Sequence, residues 1–403
     1  MAVPTEGYFD VTGEENVNKP LKVAVIAGEV SGDLLGAELI ASLRSLVGNI
    51  ELIGVGGPKL EEQGLRSLFD FSELSIMGYV EILARLPKLL GRVRQTAQNI
   101  IREKPDLLLI VDSPVFTHRV AKIVRDSLPD LPVVQYVCPS VWAWKEYRAP
   151  KMKAYVDLVL ALLPFETEAM KRLGGPETVY VGHRLACDPA LAEVRERRKS
   201  KVYGGKRTIL LLPGSRSSEI KRTAPYFAAL TMEVARRYPD ARFVMPTVPA
   251  RASLIEATVA DWPVKPEWST DETFKYDAFA EADAAIATSG TVIFELAMAG
   301  VPAVSIYKTD FLTPLLAHRI KIWSAAIPNL VADFPVVPEY VDLTLRADRL
   351  ARWAIRLSDS RSLHRDAMME GYRNIWEKMW LDEPSGLAAA KAVHKLLEKK
   401  KAG

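Results

Sequence analysis

Two short stretches in the second half of this 403-residue sequence combine residue types that can hold an anion. Leu212-Pro213-Gly214-Ser215-Arg216 closes an apolar run with a glycine turn, a hydroxyl and a guanidinium. Glycine lets backbone approach a ligand closely, a following helix start offers unpaired N–H groups, and arginine grips phosphate oxygens in pairs. One such turn is common in any α/β protein. Thr288-Ser289-Gly290-Thr291 repeats the design, with Ser289 and Thr291 able to cap a helix and to donate to phosphate. Glu295 follows one turn on, where a carboxylate can accept from ribose hydroxyls. Together the two junctions read as a nucleotide-diphosphate site at strand C-terminal ends. Neither has the G-x-x-x-x-G-K pattern, which disfavours phosphoryl transfer from ATP.

The first half offers acids and aromatics. Leu108-Leu109-Ile110-Val111-Asp112-Ser113-Pro114 ends an apolar strand in one aspartate, placed either as a general base or as a turn residue binding neighbouring N–H groups. Ala27-Gly28-Glu29-Val30-Ser31-Gly32-Asp33 lacks dinucleotide spacing, and its two carboxylates repel a pyrophosphate, so it suits sugar hydroxyls. Equally, Ser31 can cap a helix whose dipole Asp33 suits. In Cys138-Pro139-Ser140-Val141-Trp142-Ala143-Trp144 the tryptophans can stack on a sugar or acyl chain, although packing is their commoner fate. Cys138 has no activating base nearby in sequence and reads as a structural thiol. Tyr79 to Arg92 mixes apolar and basic residues, with Pro87 predicting two short helical pieces. From spacing alone it is a core-packing amphipathic segment.

Strands alternating with amphipathic stretches must position these residues, which predicts parallel sheets covered by helices. Strands are predicted at Lys22–Ala27, Ile50–Val55, Leu107–Val111, Val133–Val137 and Leu158–Leu162, with a helix from Leu34 to Leu46. A stretch dense in Arg and Lys near residue 195, with Gly204 and Gly205, reads as a solvated helix end and linker. The alternation restarts at Thr208–Leu212, with strands at Arg242–Met245, Ala284–Ala287 and Ala303–Tyr307 and helices at 218–238 and 292–299. From about Arg346 the chain is predicted helical. The expected division is an extension over 1–20, a domain over 21–190, a linker over 191–207, a second domain over 208–345 and C-terminal helices over 346–403.

Composition narrows the function classes. Hydrophobic residues at 49% and charged ones at 26% are globular proportions and exclude a disordered or fibrous chain. A net charge of +3 is too mild to argue for nucleic acid, and suits anionic small molecules or a light hold on an anionic membrane. Two cysteines make no disulfide framework, and five scattered histidines make no metal motif. The polar, acidic start shows no secretory signal, and no uncharged apolar run reaches membrane-spanning length. A cytoplasmic protein, soluble or peripheral, is expected.

These motifs in this order resemble the lipid A disaccharide synthases, inverting glycosyltransferases of GT-B fold. The resemblance rests on Ala27 to Asp33, Gly56-Gly57-Pro58, Met77-Gly78-Tyr79-Val80-Glu81, Pro139 to Trp144, Leu163-Pro164-Phe165-Glu166, Val181-Gly182-His183, Leu212 to Arg216, Ser289-Gly290-Thr291 with Glu295, and Pro328-Asn329-Leu330. It implies two Rossmann-like domains and transfer of a diacylated glucosamine from UDP to the 6-hydroxyl of diacylglucosamine 1-phosphate (lipid X). Carried over, Asp112 is the catalytic base and Glu29 an acidic site residue. Gly214, Ser215, Arg216, Ser289, Gly290, Thr291, Glu295 and Asn329 hold UDP. Ser31, Asp33, Ser140, Trp142 and His183 line the acceptor side. No cofactor, metal or nucleic acid is implied. The resemblance favours a homodimer at the cytoplasmic face of the inner membrane, docked through Val80, Ile82, Leu83, Leu86, Leu89 and Leu90 with Arg85, Lys88 and Arg92.

The sequence departs from the family pattern Asp-x-Pro-Asp-Phe-Asn at Val115 and Thr117, where it reads Asp112-Ser113-Pro114-Val115-Phe116-Thr117. Residues 1–20 have no family counterpart. The rivals are another UDP-sugar enzyme of the same fold, a soluble-acceptor transferase or an epimerase, and a non-catalytic two-domain binding protein.

Overall fold

A computed structural model describes residues 20–74, 79–203, 205–309 and 321–402, with the side chains of 79–86 outside that description. The expected extension therefore falls almost wholly outside the described residues. Contacts gather the chain into two compact units. One holds the chain through Val137, Ala154–Val159 and everything from Ala389; the other holds Cys138–Lys153 and Leu160–Ala388.

The first sheet takes strands β1 (Leu21–Ala27), β2 (Ile50–Val55), β3 (Leu107–Val111), β4 (Val133–Tyr136), β5 (Leu158–Ala161) and β6 (Glu177–Tyr180) in the order β2-β1-β3-β4-β5-β6. The second takes β7 (Thr208–Leu212), β8 (Arg242–Pro246), β9 (Glu267–Ser269), β10 (Ala284–Thr288), β11 (Ala303–Tyr307) and β12 (Glu339–Val341) in the order β12-β11-β10-β7-β8-β9. The described registers are parallel, such as Ala27 beside Val111 and Ala287 beside Leu212. Buried on both faces, β3, β7 and β10 are close to unbroken apolar runs, as central parallel strands require. Each sheet changes direction once, between β1 and β3 and between β7 and β10. Loops at the strand ends splay apart at such a reversal and leave a crevice, which is where ligands bind in open α/β sheets.

Several helices differ from the prediction. The first runs Val30–Val47 with Glu29 at its N-cap and no side-chain cap, so Ser31 does not cap it. In the second sheet's helix Thr291–Ala299 the N-cap is Gly290, and neither Ser289 nor Thr291 caps it. The segment predicted as two pieces is one helix, Tyr79–Glu103, with Pro87 inside. Losing one backbone bond to an interior proline costs about 3 kcal/mol. Burying Leu89, Val93, Ala97 and Ile100 outweighs this, at about 1.5–3 kcal/mol for each large side chain.

The basic stretch also departs from its solvated reading. Asp188 caps a helix Pro189–Lys199 through the N–H groups of Ala190 and Leu191, and Arg198 at its end is only 7% exposed. The Arg198 guanidinium donates to the carbonyls of Gly300, Phe279 and Ala282 at 2.7–2.9 Å, tying the helix down within the second unit. The chain closes with helices Ala347–Leu357, Leu363–Met379 and Ser385–Ala402. The last buries Ala389, Ala390, Val393 and Leu397, and Lys400 pairs with Asp157 at 3.6 Å within the first unit. No helix among the described residues is long and apolar enough to cross a membrane.

Candidate functional site

In the second unit, the loops after β7, β8 and β10 enclose a cavity of about 360 Å³ at the sheet's reversal. Gly214, Ser215 and Arg216 line one side and Ser289, Gly290, Thr291 and Glu295 the other, so both predicted junctions meet. Two helices begin here, Ser217–Arg237 and Thr291–Ala299, and a helix start carries backbone N–H groups without intrahelical partners and the positive end of the helix dipole. Gly214 has φ +107°, and a Cβ there would stand 2.5 Å from Glu219 Oε2, so only glycine fits. Arg216 lies at the N-cap, its guanidinium paired with Glu219 at 2.6 Å while Glu219 accepts from the Arg216 N–H. Arg251 donates to the Ser215 carbonyl at 3.0 Å and braces the turn. Glu295, mostly buried, is paired with Lys275.

Lining residues to which sequence reasoning gave no role include Thr247, Val248, Lys275 and Thr288. Thr247 and Val248 follow β8, and the Pro246-Thr247-Val248-Pro249 run after a strand was a legible signal. Lys275 comes from the helix Glu272–Glu281 with no signal of its own. Thr288 ends β10 at 3% exposure, and its hydroxyl has no partner among the described residues. Asn329, expected at this site, does not line it. It is 1% exposed, its amide donating to Ser324 and the Val337 carbonyl and accepting from the Val337 N–H. With both ends of its amide engaged, Asn329 ties its own short helix, Ile327–Ala332, to the segment at Val337.

In the first unit, Glu29 and Asp112 stand just beyond the paired strand ends Ala27 and Val111, at that sheet's own reversal. Asp112 and Ser113 both take left-handed backbone, φ +50° and +45°, which is strained for residues bearing a Cβ. That turn is held by the Asp112 N–H on the Tyr136 carbonyl and by Thr117, whose hydroxyl donates to the carbonyls of Asp112 and Ser113. Thr117, a departure from the family pattern, is thus buried support for the aspartate's backbone. Burial lifts the Asp112 carboxyl above its ordinary range, opposed by a hydrogen bond from the Ser113 backbone.

Other predicted residues have structural duties. Asp33 is 2% exposed; its carboxylate accepts from the N–H groups of Gly57, Lys59 and Leu60 at 2.7–3.1 Å and caps the helix Pro58–Glu62. An aspartate so occupied is removed from sugar binding. A Cβ on Gly57 would lie 2.8 Å from Asp33, which explains the glycine. Ser31 and Ser140 are exposed. His183 accepts from the Leu185 N–H through Nδ1, packs edge-on against Phe294, and is pushed by burial down to about 4, so its ring is neutral near pH 7. Trp142 packs edge-on against Phe165 and donates through Nε1 to Glu166 at 3.2 Å. Glu166, unrecognised as a key residue, also accepts from the Leu162 and Leu163 N–H groups; burial nevertheless raises its carboxyl to about 7. Cys138 is buried with its thiol pushed up by desolvation and by Glu166, the opposite of a nucleophile's setting.

Of the expected docking residues, the side chains of Val80, Ile82, Leu83 and Leu86 lie outside the described residues. Leu90 is exposed, whereas Leu89 is buried because it turns to the packed face of its helix. Arg92 and Lys88 both pair with Glu73, and Arg92 also covers Phe69, so their charge is largely answered within the fold.

The sequence matches the profile of the lipid-A-disaccharide synthetases over residues 23–375. It is 43% identical over 330 residues to a lipid-A-disaccharide synthase of Nitrobacter winogradskyi, covering 81% of this chain and 83% of that one. It is 40% identical over 389 residues to one of Rhodospirillum centenum, covering 95% and 96%. Among solved structures, the glycotransferase of kitacinnamycin superposes with a TM-score of 0.62 at 15% identity, over 94% of this chain and 100% of that one, which shows the shared GT-B fold. The two reversal-point sites and these relatives lead to one assignment: the chain belongs to the lipid-A-disaccharide synthetase family.

Proposed function

We propose that this glycosyltransferase joins UDP-2,3-diacylglucosamine to 2,3-diacylglucosamine 1-phosphate, giving the β(1→6) lipid A disaccharide 1-phosphate and UDP. The observation that carries the reading is the coincidence of each set of candidate residues with a reversal in strand order, acids at one and anion-binding turns at the other. Asp112 takes the proton from the acceptor 6-hydroxyl as that oxygen attacks the donor anomeric carbon. The bond from that carbon to the diphosphate breaks on the opposite face, inverting the centre, and UDP leaves with the bonding electrons. Arg216 and the N–H groups of the two helix starts meet the negative charge as it develops. Glu295 receives the ribose hydroxyls, steadied by Lys275. Glu29 orients the acceptor beside Asp112.

Product analysis tests this reading. Incubation with both lipids should release UDP together with a disaccharide 1-phosphate seen by mass spectrometry, and neither lipid alone should release UDP. UDP released without acceptor, or an epimerised sugar, would exclude it. Asp112→Ala should lower turnover by about 10²–10⁴-fold with UDP affinity unchanged; near-normal turnover would remove Asp112 from the base role.

The same reading places the enzyme peripherally on the cytoplasmic face of the inner membrane, as a homodimer, where both acylated substrates lie. Sedimentation with anionic vesicles should weaken in Leu90→Ser. Leu89 is unsuited to this test because its replacement would disturb packing.

A further inference from the structure

A second cavity, of about 510 Å³, lies in the second unit away from the nucleotide turns. Its floor and walls are Trp142, Phe165, Ala169, Ile322, Trp323 and Leu330. Two features separate it from an ordinary surface dent. Trp142 is locked by Phe165 and by the buried Glu166, so that wall is rigid. Trp323, 54% exposed, shares this lining with Trp142, Phe165, Ile322 and Leu330, so the exposed apolar area is contiguous rather than scattered. The lining also holds three cations, Arg172, Lys321 and Lys378, against two carboxylates, Glu168 and Asp333. Arg172 and Lys321 stand well into solvent and lean on one shared carboxylate, Glu146, outside the lining. The Lys378 ammonium is held by the carbonyls of Val331 and Ala332.

We propose that this cavity is a chain-binding subsite, taking one acyl chain of a phosphorylated glycolipid substrate with the negative head toward Arg172 and Lys321. An aromatic-walled trough with a cationic edge fits an amphiphile whose hydrocarbon is buried and whose anion stays at the rim. The inference rests on the proposed function, which supplies acylated phosphosugars as substrates, and it deepens that reading by giving one chain a place. It also gives Trp142 of the Pro139 to Trp144 run a duty: its ring forms part of the trough's wall, and Glu166 is the positioning residue that fixes it.

The probe is dodecyl phosphate below its micelle-forming concentration, followed by tryptophan emission, with Trp323→Phe to assign the change. Saturable binding is expected, weakened at least about tenfold on shortening to octyl phosphate, since each buried methylene contributes about 0.8 kcal/mol. Inorganic phosphate should leave the emission unchanged, and Arg172→Gln should weaken dodecyl phosphate more than dodecanol. Ala169→Phe fills the trough. It should weaken dodecyl phosphate by about tenfold or more while UDP affinity and thermal midpoint hold, and should lower kcat/KM for long-chain substrates more than for short-chain ones. If Ala169→Phe fails to fold, Leu330→Phe carries the same comparison. Equal binding by wild type and a folded filled variant, or full reproduction of the signal by inorganic phosphate, would overturn the subsite. Failure of the proposed function is separable: wild type would then make no disaccharide, whatever dodecyl phosphate does.

Discussion

Asp112 leaves the sheet through two consecutive left-handed residues, a conformation that aims its carboxylate and holds it partly out of water. In the proposed role of base Asp112 acts deprotonated, and burial raises its carboxyl above its ordinary 3.8, so the acid limb of kcat/KM should lie above that value. A pH profile measures the limb, and one at or below 3.8 would assign it elsewhere. In the cavity proposed to hold UDP, the Thr288 hydroxyl has no partner among the described residues and is available to a phosphate oxygen. Thr288→Val should weaken UDP by about tenfold, as expected for a hydrogen bond to a charged group, and Thr288→Ser should restore it; calorimetric titration decides. Glu166 tests linkage. Its carboxyl ionises near 7 when folded and near 4.5 when exposed, so between those values the unfolded chain has lost a proton that the folded chain keeps. Stability therefore falls as pH rises through that window, and Glu166→Gln should flatten the fall in chemical-denaturation curves. Residue types at strand ends were readable because the chemistry and the turn are encoded together, as in Gly214 to Arg216. Asp33 and Asn329 misled because a buried polar side chain and a ligand-binding one look alike until their partners are known.

Elements were legible where burial demands a pattern. The central strands β3, β7 and β10 are close to unbroken apolar runs, whereas β6, β9 and β12, each at or next to nothing but a sheet edge, carry Glu-Thr-Val-Tyr, Glu-Trp-Ser and Glu-Tyr-Val and gave no signal. A strand of three or four residues with one face in water need not be apolar. The helix Pro189–Lys199 shows the converse error, a charge-rich sequence hiding a buried anchor. Arg198→Leu leaves several carbonyls without a donor and should destabilise the protein by about 3 kcal/mol or more, read as a lower urea midpoint at unchanged slope. An unchanged midpoint would mean that solvent replaces those bonds.

On the scale of the whole molecule, the two-sheet α/β plan followed from alternation alone, because each parallel crossover needs its own helix. The grouping of the chain did not. The composition changes near residue 190, whereas contacts keep Leu160–Ala388 together, and no periodicity announces that Cys138–Lys153 joins that later unit or that residues from Ala389 join the earlier one.

That last allegiance bears on biosynthesis. The earlier unit contains buried Val393 and Leu397, so a ribosome delivers most of its sheet long before the helix that completes it. Until those residues emerge, the apolar surface they cover stays open to chaperones, and arrest of translation before them should leave a nascent chain more readily cut by protease than the finished one.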